Sequence, residues 1–301
     1  MHTVGIVLHP RRDSAEAVSA ITDWAAHHHV EVLGIDTEIE RLQCAAVSVP
    51  ASDLGRRSDL LVSLGGDGTM LRSMRLSEGG RAPVLGVNLG KLGFLAEVDV
   101  SELPDALSAI DENHYTIEPR LAVDAGLDGK TVTAFNDVAI VRVPGSGGSA
   151  GVALRVDGRP FVAYAADAVV VATPTGSTAY SFSAGGPIVS PSVEALLVTP
   201  SAPHSAFNRG LVLSVSDALS LDVLPGSGRL AVEVDGQVAG YVVPGDSVVL
   251  RARPGAAHVV RLGRTTFYER ARRKLRLTGS AEVEPTPPGA RPGAGLITGP
   301  A

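Results

Sequence analysis

The stretch "DLLVSLGGDGTM", residues 59–70, decides the fold class of the first part of the chain. Its opening run is short, apolar and rich in Leu and Val, which is typical of a strand buried on both faces. Three glycines follow, and the next residues, "TMLRSMRLS", predict a helix. A buried strand, a glycine loop and a helix in this order predict a ligand site at the carboxyl edge of a parallel sheet.

Strand and helix patterns alternate on both sides of this loop. Short apolar runs predict buried strands at residues 4–8, 30–35 and 83–88, and helical spacing of apolar residues predicts helices between them. Buried strands that alternate with helices indicate a parallel sheet covered on both faces. We therefore expect residues 1–112 to form an α/β, Rossmann-like domain that carries the glycine loop.

The second part of the chain has a different pattern, in which strand-like runs dominate. Asp–Gly pairs at 128–129, 157–158 and 235–236 lie between such runs and predict tight hairpins. We expect residues 113–262 to form a β-rich domain, an antiparallel β-sandwich.

The end of the chain divides into two segments. The run "FYERARRKLRL" predicts a helix, and we expect residues 263–278 to pack back on the first domain. Residues 281–301 are rich in Pro and Gly, so we expect a disordered tail there.

Composition excludes several classes of function. The net charge of −6 and the 4 % of aromatic residues argue against nucleic acid and anionic membranes as partners. The single cysteine, Cys44, excludes an internal disulfide and a cysteine zinc site. No apolar run approaches the roughly 18 residues that span a bilayer. The first residues lack a signal-peptide pattern, so we expect a cytoplasmic protein.

The glycine loop is of neither well-known phosphate-binding type. It lacks the lysine of a Walker loop, and Leu71 stands where a dinucleotide fingerprint needs a third glycine. The alternative to phosphate binding is a tight strand–helix turn in which Asp67 caps the helix. Four residues are candidates for binding phosphate at the start of the helix: Gly65, Gly66, Gly68 and Thr69.

Asp67 is unexpected beside phosphate because both groups are negative. A carboxylate there needs a separate role, either holding a divalent metal or taking a proton from an attacking hydroxyl. Phosphoryl transfer to an alcohol needs such a group, so the loop favours a kinase over a passive nucleotide binder. Arg72 lies about one helical turn later and would offset charge there; an ordinary surface arginine is the alternative.

A second polar segment, "ATPTGSTAYSFSAGGPIVSP", follows the apolar run "AVVVA" at residues 172–191. Its hydroxyl and N–H groups suit ribose, adenine or phosphate, and Tyr180 adds a flat aromatic face. The alternative is an ordinary Ser/Thr-rich loop. Asn136 and Asp137 lie inside a strand pattern, where an amide and a carboxylate suit an adenine edge and a ribose diol; a polar bulge or hairpin pair is the alternative.

These segments resemble known families. "GGDGT" resembles a signature shared by NAD kinases, diacylglycerol kinases, sphingosine kinases and, more loosely, phosphofructokinases. The segment at 172–191 closely resembles the hallmark of bacterial NAD kinases, and "GVNLGKLGFLAEV" from Gly86 and "FNDVAI" from Phe135 resemble two further family segments. The chain departs from the family pattern at Asp137, where Glu is commoner, and at Ala165, where a basic residue is frequent.

The resemblance implies an NAD kinase that converts ATP and NAD to ADP and NADP. It implies Asp67 as the catalytic base for the ribose 2′-hydroxyl, ATP or polyphosphate as donor, Mg²⁺ as the divalent metal, and a homodimer or homotetramer. Asp167 and Gln237 also match family residues; a strand-edge acid and a turn residue are the alternatives. The implied NAD-binding residues are Asp67, Gly68, Arg72, Asn136, Asp137, Asp167, Thr178, Ala179, Tyr180, Ser181, Phe182, Ser183 and Gln237.

Two other functions stay open from the sequence. A diacylglycerol-type lipid kinase would share the glycine loop but would need a lipid groove and membrane affinity. A non-catalytic sensor would bind NAD or NADP and never convert one to the other.

Overall fold

Two β-sheets organise the chain in the computed structural model, which describes residues 1–90, 93–145, 148–204 and 207–277. The predicted tail at 281–301, residue 278 of the predicted C-terminal segment and two residues of the "GVNLGKLGFLAEV" stretch, Lys91 and Leu92, lie outside the described residues.

The first part of the chain is an α/β unit built on a parallel sheet with strand order β3-β2-β1-β4-β5-β6. This confirms the predicted parallel α/β domain. The sequence patterns did not predict α2, β3 or α3, which are short. The elements in chain order are β1 (Thr3–Leu8), α1 (Ala15–His28), β2 (Glu31–Ile35), α2 (Asp36–Leu42), β3 (Val47–Val49), α3 (Ala51–Arg57), β4 (Leu60–Leu64), α4 (Asp67–Leu76), β5 (Val84–Asn88), β6 (Val98–Asp99) and α5 (Leu103–Asp111).

Neighbouring residues of one strand pack on opposite faces of this sheet. Ile6 of β1 lies in the cluster formed with α1 and α5, whereas Val7 lies in the cluster formed with α3 and α4. Both side chains are fully buried. Burial of such a side chain stabilises the fold by about 2 kcal/mol, so helices on both faces require the continuous apolar runs seen in the sequence.

The second part is a β-sandwich made of two antiparallel groups of six strands, as predicted. One group has the order β14-β13-β12-β9-β16-β17, and the other includes β11-β10-β15-β18 with β7 and β8. The elements in chain order are β7 (Thr116–Leu127), β8 (Lys130–Ala134), β9 (Asp137–Arg142), β10 (Ala150–Val156), β11 (Arg159–Ala166), β12 (Ala168–Ala172), α6 (Tyr180–Ser183), β13 (Ala195–Ser201), β14 (Leu211–Ser214), β15 (Leu219–Val223), β16 (Leu230–Val234), β17 (Gln237–Val242), β18 (Ser247–Arg261) and α7 (Phe267–Leu275).

All three predicted Asp–Gly hairpins are confirmed, joining β7 to β8, β10 to β11 and β16 to β17. At each turn both the Asp and the Gly have positive φ, for example 48° at Asp235 and 76° at Gly236. This is the backbone that a two-residue hairpin of matching twist requires.

β18 connects the two parts of the chain. Two strand-like runs in this region, "DSVVLRA" and "HVVRLG", predict two separate strands, but the structure has one strand with an irregular register between Arg253 and Ala257. Its first half pairs with β15 and β7 in the sandwich, and Val259 near its end pairs in parallel with Val84 of β5. One twelve-stranded sheet therefore continues through both parts, and the chain leaves it beside the first sheet, just before α7.

Candidate active site

The glycine loop lies between the end of β4 and the start of α4. The helix begins at Asp67, two residues before the predicted start, with Gly66 as its N-cap. An added Cβ at Gly66 or Gly68 would have no atom within 4 Å, so the loop surface is open at both positions. The free N–H groups at the start of a ten-residue helix favour an anion there.

The carboxylate of Asp67 is held by groups from distant parts of the chain. Its Oδ2 accepts hydrogen bonds from the N–H of Phe94 at 3.1 Å and from Nζ of Lys274 at 2.7 Å. Its Oδ1 accepts from the N–H of Leu95 at 3.0 Å. The N-cap of α4 is Gly66, and the bonds of the Asp67 carboxylate to described residues go to Phe94, Leu95 and Lys274. The alternative in which Asp67 caps the helix does not describe these contacts.

A cleft of about 920 Å³ opens in front of this loop, and Asp67 lies on its wall. The structure brings six of the predicted site residues to the cleft: Gly66, Asp67, Gly68, Thr69, Arg72 and Gln237. Seven other residues of the cleft lining are not predicted from the sequence: His9, Pro10, Arg12, Thr37, Glu38, Arg41 and Arg75. The sequence does hold a signal for His9, Pro10 and Arg12. The stretch "HPRR" directly follows β1, at the carboxyl edge of the sheet where ligands bind in such folds.

Two of the predicted side chains at this cleft, those of Thr69 and Arg72, are already packed or paired within the protein. The hydroxyl oxygen of Thr69 is buried without a hydrogen-bond partner among the described residues, and it packs close to Gly65. Arg72 forms an ion pair with Glu38, whose other oxygen accepts the N–H of Leu8 at 2.8 Å. The charge of Arg72 is therefore already offset within the protein.

Two arginines, Arg12 and Arg41, add positive charge to this cleft. Within the described residues neither Arg12 nor Arg41 forms an ion pair with a carboxylate, and Arg41 instead donates to the carbonyl oxygens of His9 and Pro10. Burial, and then the positive charges of Arg12, Arg11 and Arg41, lower the pKa of His9 below its usual 6.5. Two arginines that no described carboxylate neutralises suit an anion in this part of the cleft.

The hydroxyl-rich segment packs against the Asn136–Asp137 backbone. The N–H of Thr173 donates to the carbonyl oxygen of Asn136 at 2.8 Å, and Thr173 Oγ1 donates to that of Phe135 at 2.5 Å. A Cβ at Gly176 would lie only 2.0 Å from the Asn136 carbonyl oxygen, so glycine is needed for this close approach. The hydroxyl-rich segment and the Asn136–Asp137 segment, which are separate in the sequence, therefore form one surface.

Asp137 and Asp235 form a buried acidic pair beneath this surface. The Asp235 carboxylate accepts the N–H groups of Phe135, Asn136 and Asp137 and pairs with Arg75 at 2.6 Å. Burial, followed by the charges of Asp235 and Glu233, raises the pKa of Asp137 to about 7. The sequence predicts Asp235 only as a turn residue, because its partners lie far away in the chain.

The predicted residues at 178–183 differ in burial and in their hydrogen-bond partners. The Ser181 hydroxyl is buried and hydrogen-bonds with Thr199 Oγ1 at 3.0 Å, so it does not face an open surface. The Thr178 and Ser183 hydroxyls donate to nearby backbone carbonyl oxygens at 3.4 Å. Tyr180 is half-buried and hydrogen-bonds with Ser201, Ala179 is half-buried, and Phe182 is exposed.

Asp167 lies apart from the glycine loop. It precedes β12, whereas the hydroxyl-rich segment follows the other end of that strand. Its carboxylate is half-exposed and accepts a hydrogen bond from Nε of Arg142 at 3.1 Å. The structure therefore does not bring Asp167 to the cleft that contains Asp67.

Over the described ranges, no cluster of three or more His, Cys, Asp or Glu residues is arranged to hold a metal ion. A Mg²⁺ ion needs only one or two carboxylates when phosphate oxygens complete its coordination. Asp67 and Glu38 are the cleft carboxylates, and both already accept hydrogen bonds. In the same part of the chain, no helix is long and apolar enough to cross a membrane.

A carboxylate beside a helix N-terminus in a cationic cleft is an arrangement typical of kinases that transfer a phosphoryl group from a nucleotide. Comparison with known proteins agrees with this class. Residues 4–115 match the ATP-NAD kinase N-terminal domain, and residues 135–262 match the ATP-NAD kinase C-terminal domain. The chain belongs to the NAD kinase family, and the resemblance found in the sequence is confirmed.

Individual relatives match along most of their length. An NAD kinase of Heliobacterium modesticaldum is 41% identical, over 91% of this chain and 99% of the relative. NAD kinase 1 of Streptomyces avermitilis is 38% identical, over 91% and 87%. Among solved structures, yeast NADH kinase complexed with NADH has a TM-score of 0.79 at 27% identity, covering 92% of this chain and 87% of that one. An NAD kinase from Archaeoglobus fulgidus in complex with ATP has a TM-score of 0.72 at 25% identity, covering 92% and 100%.

Proposed function

We propose that this chain transfers the γ-phosphoryl group of MgATP to the 2′-hydroxyl of the adenosine ribose of NAD. The family supports the reaction, and the lipid-kinase alternative is not favoured by it. One observation carries the assignment of roles. Asp67 lines the same cleft as Arg12 and Arg41, and neither arginine forms an ion pair with a described carboxylate.

The part of the cleft around Arg12 and Arg41 is the proposed donor site. Arg12, Arg41 and the start of α4 would bind the phosphates of ATP, whose charge the protein must offset. Mg²⁺ would enter with ATP and stay mainly on phosphate oxygens, because the cleft carboxylates offer few free acceptor positions. The ion supplies charge neutralisation on the transferring phosphoryl group.

The surface around Asn136 and Gly176 is the proposed acceptor site. Asp137 and the half-buried Tyr180 lie beside it, and the N–H of Tyr180 hydrogen-bonds to the Asp137 carboxylate. These groups would bind the adenosine of NAD. Gln237, which lines the cleft, would contact the part of NAD that extends toward Asp67. The acceptor hydroxyl and the donor phosphate would thus meet at the glycine loop.

The reaction then needs one proton acceptor and one cationic surface. The ribose 2′-oxygen forms a bond to the γ-phosphorus, and the bond from that phosphorus to the β–γ bridging oxygen breaks. The hydroxyl proton passes to Asp67 and the negative charge leaves on ADP. A positioned base accelerates such a step by about 10²–10⁴-fold.

The test uses the full chain with NAD, Mg²⁺ and ATP, and detects product with an NADP-specific dehydrogenase. Asp67→Asn should lower turnover by about 10²-fold or more while the dissociation constant for NAD, measured by calorimetry, stays nearly constant. Asp36→Asn is the matched control, because Asp36 starts α2 at the same sheet edge and lines no part of the cleft.

The outcomes separate the proposed function from its alternatives. Near-normal activity of Asp67→Asn would show that another group takes the proton. Binding of NAD without conversion by the wild-type protein would show a sensor. A parallel assay with polyphosphate in place of ATP determines which donor is used.

A further inference from the structure

The C-terminal helix α7 is fixed against the first domain by contacts that are independent of the active site. Its N-terminus has a reciprocal capping box between Thr266 and Glu269. Arg270 is buried and donates to Glu97 Oε2 at 3.3 Å and to the Thr265 carbonyl oxygen at 2.8 Å. Ala271 is also buried. These contacts dock the helix before its last turn reaches the glycine loop.

Lys274 lies one helical turn after Arg270 and reaches the carboxylate of Asp67. Its Nζ is 2.7 Å from Asp67 Oδ2 and 4.3 Å from the centre of the Phe94 ring. The N–H of Phe94 donates to the same carboxylate oxygen. The ammonium group is therefore located by two partners, a carboxylate and an aromatic face.

We propose that Lys274 is a positioning residue that fixes the Asp67 carboxylate for proton transfer. A carboxylate has about four acceptor positions. Oδ2 uses two of them for Lys274 and Phe94, whereas Oδ1 uses one for Leu95. Among the described residues the position without a donor lies on Oδ1, and this is the oxygen that would take the proton from the ribose hydroxyl. The inference rests on the proposed function.

The final torsion of an aspartate side chain is broad, so its carboxylate needs external contacts to stay in one orientation. Without Lys274, the restraints on the Asp67 carboxylate from the described residues would be the two backbone N–H groups of Phe94 and Leu95. A misplacement of reacting atoms by about 1 Å can cost about 100-fold in rate. The ion pair is partly exposed and contributes little to folding stability, so its main effect should be on the chemical step.

The experiment compares three variants of the full chain. Lys274→Met keeps the apolar stem over Phe94 and removes the charge, Lys274→Arg keeps a cation, and Arg272→Met removes an exposed charge from the same helix. Single-turnover rates with NAD and MgATP isolate the chemical step. We expect Lys274→Met to lower this rate by about 10–100-fold with KM values within about twofold, and Lys274→Arg to recover much of it.

Arg272→Met should match the wild type in rate and melting temperature, and Lys274→Met should match it in melting temperature and NAD affinity. An undiminished single-turnover rate in Lys274→Met would overturn the positioning role while leaving the proposed function intact. A raised KM with an unchanged rate would also overturn it, because Lys274 would then bind substrate. An equal loss of single-turnover rate in Lys274→Arg and Lys274→Met would also contradict the proposal, because a cation at this position would then not restore the rate. Absence of NADP formation by the wild type would remove the proposed function and this inference with it.

Discussion

Gly93 gives the sharpest test of how the Asp67 carboxylate is placed. It immediately precedes Phe94 and Leu95, whose N–H groups bind that carboxylate. An added Cβ at Gly93 would lie 2.3 Å from Asp67 Oδ1. No positive φ is recorded at this position, so alanine would strain the site by contact rather than by backbone conformation.

The size of the displacement follows from that distance. An ordinary contact of a Cβ is about 3.4 Å, so Oδ1 must move by about 1 Å in Gly93→Ala. Such a movement is expected to slow the chemical step by about 100-fold, which corresponds to about 2.7 kcal/mol of transition-state stabilisation. The free energy of unfolding should change little, because alanine restricts the unfolded chain and the displaced group is a short side chain.

Single-turnover rates and thermal melting should be measured together for Gly93→Ala. Gly126→Ala is the matched control, because the nearest atom to its added Cβ is the Val249 carbonyl oxygen at 3.9 Å. We expect the control to keep its full rate. A Gly93→Ala protein that keeps both its stability and a near-normal rate would refute the reasoning that the position of Asp67 limits the reaction.

Three further predictions concern the acceptor surface. The raised pKa of Asp137, about 7 against 3.8 in an unfolded chain, means that the folded state binds the extra proton, so the free energy of unfolding should fall as pH rises from about 4 to 7. Asp137→Asn should remove this dependence and stabilise the protein at pH 8 by at most roughly 4 kcal/mol, measured by urea denaturation. Arg75→Met should destabilise it by about 2 kcal/mol in the same assay, because Asp235 loses its cation; an unchanged midpoint would contradict this. Gly176→Ala should weaken NAD binding roughly tenfold or more in calorimetry, because its Cβ meets backbone at Asn136; unchanged affinity would separate that contact from NAD binding.

Much of the fold is visible in the sequence because its signals are local. All five residues of β4 are buried, so a continuous apolar run marks the strand. The turn at 235–236 needs positive φ twice, and Asp–Gly supplies it. The elements that were missed have weaker signals. α2 starts directly at the end of β2 and has seven residues, and β3 has three, which is too short for a periodic pattern.

The site is only partly visible for a different reason. Asp67 stands out because a carboxylate in a glycine loop is chemically unusual. Lys274 bonds to it across 207 residues of sequence, and Asp235 bonds to the N–H of Asn136 across 99. No local pattern marks either contact. Arg12 and Arg41 also line the same cleft only because α2 and the loop after β1 lie at the same sheet edge.

The long-range ion pairs explain how the two halves of the site keep a fixed distance. Asp67 is the first residue of α4, and Arg75 lies eight residues later on the same helix, which is about 12 Å along the axis. Arg75 binds Asp235, and Asp235 binds the backbone that carries Asn136. The helix is therefore a rigid spacer between the proposed base and the proposed acceptor surface. A one-residue insertion in α4 would rotate Asp67 and Arg75 by about 100° relative to each other. The two contacts could then not both be kept, so the proposed reaction depends on the spacing within α4 as well as on the residues that would touch the substrates.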